Sequence, residues 1–267
     1  MTLPPPNPDL KVSVVVPARD EEELIGACLR VLAEQRYVSH DEYEVLLVLD
    51  RCTDSTAERA REVSKTYPSL NLRFLNGSGK GSGHARRLGM DAACARLLAS
   101  RGPDGLIAST DADTVVAPDW LATQLEAVYR GASAIGGRIE LAPDDSLPDS
   151  VFRWHTERGR RRHQRLLADP SVSGRTEHWQ FSGASLSLTA AVYREIGGLE
   201  PLASLEDENL ERTLRRRGIP IERLLSVRVT TSARLIGRAE RGLSHDLSRV
   251  VSGLRAATET GDPAVGP

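Results

Sequence analysis

Val12-Ser-Val-Val-Val-Pro-Ala-Arg-Asp-Glu-Glu22 is the stretch on which the fold turns. Its first five residues are rich in β-branched side chains and almost continuously apolar. That pattern suits a strand covered on both faces, as in a parallel sheet. Pro17 ends the strand. Asp20 is placed to cap a helix, with Glu23 three residues on completing a capping box. Leu24, Ile25, Cys28, Leu29 and Leu32 then form an apolar stripe at helical spacing.

The same unit recurs. Tyr43 to Leu49 predicts a second strand, followed by Asp50 and a helix from about Asp54. Leu72 to Leu75 predicts a third, leading through Gly77-Ser-Gly-Lys-Gly-Ser-Gly83 into another helix. Leu106 to Thr110 predicts a fourth, running into Asp111-Ala112-Asp113, with a helix from near Pro118 to Gly131. Four strand–helix alternations predict a doubly wound, mostly parallel α/β sheet. Ligands of such sheets bind beyond the C-terminal strand ends. Pro17 to Glu21, Asp50, Gly77 to Gly83 and Asp111 to Asp113 fall there.

Past residue 135 the alternation stops. Strands are predicted at Ala134–Leu141, Gly183–Leu188 and Ser226–Thr231. Helices are predicted at Ser150–Leu167, Thr189–Ile196, Leu205–Arg217 and about Gly237–Ala256. No repeat and no linker-like segment divides the chain.

The 267 residues suffice for a substantial core, and the net charge of −2 gives no support to nucleic-acid binding. Three scattered cysteines provide neither a disulfide framework nor a Cys-rich zinc site. The Pro-rich start lacks the features of a signal peptide, and no apolar run approaches membrane-spanning length. A cytoplasmic protein is expected, with peripheral membrane contact left open. A homodimer is compatible with the sequence, which does not fix the oligomeric state.

Asp111 and Asp113 can present two carboxylates to one cation. Mg²⁺ and Mn²⁺ favour such hard ligands together with diphosphate oxygens. The competing reading of Asp-x-Asp is a loop that caps a turn. Asp50 suits hydrogen bonding to a base or ribose, whereas Asp54 reads as a helix cap and Cys52 as a packed residue. The glycine-rich loop fails as a Walker motif because Phe74 and Gly81 stand where glycine and Ser/Thr are required. It fits a loop bringing Lys80 and backbone N–H groups to a diphosphate, or a plain surface loop. Glu206, Asp207 and Glu208 suit a helix N-terminus, and a carboxylate among them could deprotonate an acceptor hydroxyl. Arg153, Arg158, Arg160, Arg161, Arg162 and Arg165 read as a solvated helix face or a binding face for an anionic acceptor.

Taken in order, these motifs resemble family 2 glycosyltransferases, which have the GT-A fold. The opening strand and acidic turn, Asp50 with Cys52-Thr-Asp-Ser-Thr56, and Lys80-Gly81 with Ala85-Arg-Arg-Leu-Gly89 carry the resemblance. So do Asp111-Ala112-Asp113, Gly183-Ala184, Gly197-Gly198 and Glu206-Asp207. The resemblance implies that Pro17, Ala18, Asp20, Glu21 and Asp50 line a nucleoside pocket, with Lys80 and Arg87 near it. Asp111 and Ala112 would face the donor, Asp111 and Asp113 the Mg²⁺ or Mn²⁺, and Asp207 would be the base.

It also implies a tail at 1–10, a nucleotide-sugar half at 11–135, an acceptor half at 136–235, and a C-terminal helix and tail at 236–267. The expected reaction is transfer from a UDP- or GDP-type sugar to a hydroxyl acceptor, with inversion. Retaining relatives such as glucosyl-3-phosphoglycerate synthases use a C-terminal histidine as a metal ligand. The histidine after residue 178 here is His245. A nucleotidyltransferase, a non-catalytic nucleotide-sugar-binding module and an NAD(P)-dependent oxidoreductase are the rival readings.

Overall fold

The computed structural model describes residues 3–144, 146–202, 204–237 and 242–260. The first strand, β1 (Val12–Ala18), pairs in parallel with β2 (Tyr43–Leu49), and β2 with β3 (Leu72–Asn76). β4 (Leu106–Ser109) lies parallel on the other side of β1. The two faces of β1 divide as its pleat requires. Val12, Val14 and Val16 join a core with α1 (Ile25–Ala33), α2 (Thr56–Thr66) and α4 (Trp120–Tyr129). Val15 joins the opposite core, with α3 (Ser82–Ser100). Burial on both faces accounts for the continuous apolar runs.

The second half joins the same sheet. β5 (Thr114–Val116), β6 (Ala134–Leu141), β7 (Leu186–Thr189) and β8 (Glu222–Thr231) complete the order β3-β2-β1-β4-β7-β6-β8-β5. β7 runs antiparallel to β4 and β6, β5 antiparallel to β8, and β6 parallel to β8. The sheet is therefore mixed, its parallel character concentrated in β1–β4. α5 (Asp149–Leu167) packs with α8 (Leu243–Thr260) in a small separate cluster around Val151 and Leu247. α6 (Ala190–Glu195) starts from a Thr189 cap, and α7 (Glu206–Arg216) closes the site's far side. No helix among the described residues is long and apolar enough to cross a membrane.

Two local expectations are corrected. The first helix begins at Ile25, with no side-chain cap, and the capping box of Asp20 and Glu23 does not form. Asp20 adopts φ 53° and its carboxylate accepts the Thr53 N–H at 2.6 Å. The chain makes an extra turn there, because Asp20 ties the end of β1 to the turn after β2. The second correction is β5, which the sequence does not announce: three residues are too few to display a period. Asp54, expected as the cap of α2, lies one residue before its N-cap Ser55 and still braces the helix start by accepting the Thr56 N–H at 3.0 Å.

Candidate active site

The C-terminal ends of β1, β2 and β4 and the start of α7 open onto one cleft of about 1170 Å³. Pro17, Ala18, Glu21, Asp50, Asp111, Ala112, Asp113 and Asp207 all line it. Two arginines organise its acidic groups.

Arg86, on α3, is buried. Its guanidinium donates to Asp111 Oδ1 at 2.7 Å, Glu206 Oε1 at 3.1 Å, Ser109 Oγ at 2.6 Å and the Gly183 carbonyl at 3.0 Å. One side chain thus ties β4, the loop before β7 and α7 together. Burial raises the Glu206 pKa, while Arg86 pulls it down. Glu206 is thus engaged with Arg86 at the back of the cleft. Its neighbour Asp207 faces the cleft, with Oδ2 accepting the Gly183 N–H at 3.0 Å. α7 is entered through Leu205 at φ 61°, a left-handed conformation that costs a non-glycine residue about 1 kcal/mol or more.

Arg234, just past β8, makes a two-pronged pair with Glu21, both contacts at 2.7 Å, and reaches Asp113 Oδ2 at 2.8 Å. Burial, then the nearby Asp111, push the Asp113 pKa up to about 6 against the pull of Arg234. A divalent cation fits the donor set that remains. Among the described residues, Asp111 Oδ2 has no hydrogen bond, and Asp113 Oδ1 meets the Thr114 and Thr231 hydroxyls only at 3.4 and 3.5 Å. These are hard oxygens of the kind Mg²⁺ and Mn²⁺ take, with room for diphosphate oxygens to complete the set.

Asp50 is buried and holds the glycine-rich loop: Oδ1 accepts the Gly79 N–H at 2.6 Å and Oδ2 the Gly81 N–H at 3.2 Å. A Cβ at Gly77 would lie 2.5 Å from Asp50 Oδ1, which is why glycine stands there. The loop amides thus serve a side chain rather than standing ready for a phosphate.

Three expected donor-side residues lie away from the cleft lining. Lys80 is exposed on the loop. Arg87 points the other way around α3, to Asp91 and the Leu199 carbonyl. Asp20 belongs to the turn after β1, which meets the turn after β2, and there Asp20, Cys52 and Asp54 bring ligand atoms within 4.8 Å of one another. Thr53, Glu22 and Thr56 N–H groups already donate to these carboxylates, so the trio fastens one turn to the next.

Arg86 and Arg234 are the residues that sequence reasoning missed. For Arg86 a signal existed. Residues 86, 89, 90, 93 and 97 are all buried, so helical spacing places Arg86 on the inner face and Arg87 off it. Arg234 follows a strand in a loop and carries no such pattern. The arginine run of α5 splits as well. Arg160 and Arg161 pair with Glu157 in solvent, whereas Arg158, Arg162 and Arg165 line the cleft. His245 also lines the cleft, beside Asp246, while the group against Asp113 is Arg234.

The sequence matches the family described as Glycosyl transferase family 2 over residues 13–182, which runs from β1 to the loop before β7. The chain belongs to glycosyltransferase family 2. Among its family 2 relatives, it is 31% identical over 159 residues to a dolichyl-phosphate β-glucosyltransferase of Drosophila melanogaster, covering 55% of this chain and 46% of that protein. It is 30% identical over 130 residues to glycosyltransferase AglE of Haloferax volcanii, covering 48% and 39%. The chain spans less than half the length of these relatives.

Its backbone is similar to mannosyltransferase PcManGT of Pyrobaculum calidifontis, solved with GDP-Man and Mn²⁺, with a TM-score of 0.61 at 20% identity over 98% of this chain and 68% of that one. It is also similar to S. aureus TarS, solved with UDP-GlcNAc, with a TM-score of 0.60 at 18% identity over 91% and 66%. At such identities the likeness speaks for the fold alone. This family 2 chain has the GT-A architecture: a Rossmann-like core continued by a second half in one mixed sheet.

Proposed function

We propose that this protein transfers a sugar from a nucleoside-diphosphate donor of UDP or GDP type to an acceptor hydroxyl, with inversion and with the help of Mg²⁺ or Mn²⁺. The observation that carries the reading is the presence of Asp111, Asp113 and Asp207 on the lining of one cleft at the strand ends, Asp111 held by Arg86, Asp113 by Arg234 and Asp207 by the Gly183 N–H. Asp111 and Asp113 would hold the cation, which when bound neutralises charge on the leaving diphosphate. Pro17, Ala18 and Asp50 line the side of the cleft suited to the nucleoside. Asp207 takes the proton as the acceptor oxygen bonds to the anomeric carbon and the bond from that carbon to the diphosphate oxygen breaks. Arg86 holds Asp111 in place through an ion pair and engages Glu206 away from the reaction. The GDP-Man, Mn²⁺ and UDP-GlcNAc bound by the neighbours above are consistent with this donor class. Inversion is favoured because an arginine, rather than a histidine, stands against Asp113.

The test is a thermal-shift panel of UDP, GDP, dTDP, CDP, ADP and NAD⁺, with and without Mn²⁺, on wild type, Asp113→Ala and Asp207→Asn. A ligand of the native state raises its melting temperature. One nucleoside diphosphate is expected to stabilise wild type in a Mn²⁺-dependent way and to fail with Asp113→Ala. Asp207→Asn should keep that stabilisation and lose roughly 10²–10⁴-fold in turnover of the matching nucleotide-sugar. Stabilisation by NAD⁺ alone, or full turnover by Asp207→Asn, would remove the proposal.

A further inference from the structure

From its acidic end the cleft continues to α5, α7 and α8, and there its lining changes sign. Arg162 lies with its guanidinium 4.6 Å above the Trp179 ring. Gly159, one turn earlier, lets the indole lie against α5; a Cβ there would stand 3.0 Å from Trp179 Nε1. The aromatic face orients the cation without cancelling its charge. His155, Arg158, Arg162 and Arg165 recur at helical spacing and line the cleft together, with Arg212 from α7 and Arg249 from α8 facing the same space.

The charge there is only partly answered. Asp246 pairs with Arg158, and Asp169 and Glu211 pair with Arg215. Among the described residues, no carboxylate lies within ion-pair distance of Arg162, Arg165, Arg212 or Arg249. Asp246 and Glu208 are felt by Arg162 only from farther off. Burial, then Arg158 and Arg162, hold His155 below its usual pKa, as expected in a positive local field. Arg162 is half-buried, and Arg165, Arg212 and Arg249 stand exposed at the edge of the cleft; guanidinium groups gathered there without counter-charge favour an oxyanion, which two or more of them can grip through paired N–H donors.

We propose that Arg162 on its Trp179 platform, with Arg165, Arg212 and Arg249, forms a subsite for a phosphate group carried by the acceptor. The assignment rests on the transfer reaction proposed above, and it places the acceptor's charged end at α5 and its hydroxyl toward Asp207. It also divides the α5 arginines into two sets, since Arg160 and Arg161 belong to solvent and Glu157.

The experiment titrates the full chain, without donor or metal and at low salt, following tryptophan fluorescence. The probes are inorganic phosphate, glycerol 3-phosphate and a short-chain prenyl monophosphate below its micelle concentration. Saturable binding is expected. Arg162→Gln should weaken it about tenfold, the loss of one charge-assisted contact, while Arg160→Gln should leave it unchanged. Arg165→Gln serves as the second cleft variant should Arg162→Gln lose its circular-dichroism spectrum. Tighter binding of glycerol 3-phosphate, which carries hydroxyls beside its phosphate, would support the placement; tighter binding of the prenyl ester, whose only nucleophilic oxygens are those of the phosphate itself, would count against a phosphate held apart from the reacting hydroxyl. Absence of saturable binding to wild type, or equal weakening by Arg160→Gln, would overturn the subsite. Mn²⁺-dependent nucleotide stabilisation, measured on the same variants, should be untouched by Arg162→Gln. Its failure in wild type would instead count against the transfer reading, so the two failures are separable.

Discussion

Arg86 makes four hydrogen bonds from a position almost sealed from water, and two of its partners are carboxylates. Removing it would strand Glu206 as a buried charge next to Asp207. Losing one partner of a buried pair costs about 3–5 kcal/mol. Arg86→Met should therefore lower the unfolding free energy by that amount in urea titration. Arg86→Lys keeps the charge without the planar fork and should fall between. A midpoint unchanged in Arg86→Met would show that the network is not what holds α7 to β4. At this scale Asp111, Asp113, Asp50 and Asp207 are legible in the sequence, because each stands at a strand end or helix start. Glu206 and Asp207 cannot be told apart there, since adjacent residues on a helix's first turn differ only in what lies opposite them. Arg234 is illegible for the same reason: its partner Glu21 is 213 residues away in the chain.

Helix α3 crosses β1 and β2 closely because Gly89 presents no side chain. A Cβ there would come 2.3 Å from Val15 Cγ1 and 3.0 Å from Val48 Cγ2, inside a close-packed core. Gly89→Ala gains about 1 kcal/mol in intrinsic helix propensity, yet overpacking of this kind costs about 1–3 kcal/mol. The net expectation is a lower melting temperature, with α3 and Arg86 pushed away from Ser109. A melting temperature equal to or above wild type would mean that α3 can shift without strain. The four N-terminal strands are readable because burial on both faces makes them continuously apolar. The start of α1 is not, because Asp20 has two uses open to it and a tertiary one, the Thr53 N–H, prevails over capping. The positions of β6, β7 and β8 are readable from their apolar runs, but their order and direction in the sheet come from pairing, which leaves no periodic trace.

The molecule as a whole carries a pH dependence to which one buried histidine, behind the cleft wall, contributes. His178 is buried, with Nδ1 accepting the Gln180 N–H at 3.1 Å and Nε2 meeting the Leu224 carbonyl at 3.2 Å. Neither nitrogen can take an extra proton without losing a bond, and burial lowers its pKa to about 4. The unfolded chain, with an ordinary value of about 6.5, binds the proton first as pH falls. The stability contributed by neutral His178 is complete above about pH 6.5 and is lost between there and about 4, up to about 3 kcal/mol. Urea unfolding of wild type should thus fall more steeply between pH 7 and 5 than that of His178→Gln. Parallel slopes would refute the assignment. The Arg234 clamp on Glu21 and Asp113 has another kind of consequence. It closes a loop of over two hundred residues, and closure of that length costs roughly 5 kcal/mol of chain entropy before any contact repays it. The carboxylates of Glu21 and Asp113 thus take their counter-charge from a residue that β8 carries to the cleft from near the far end of the chain. On the ribosome the N-terminal strands can assemble early, yet the finished cleft must wait until the segment after β8 has emerged.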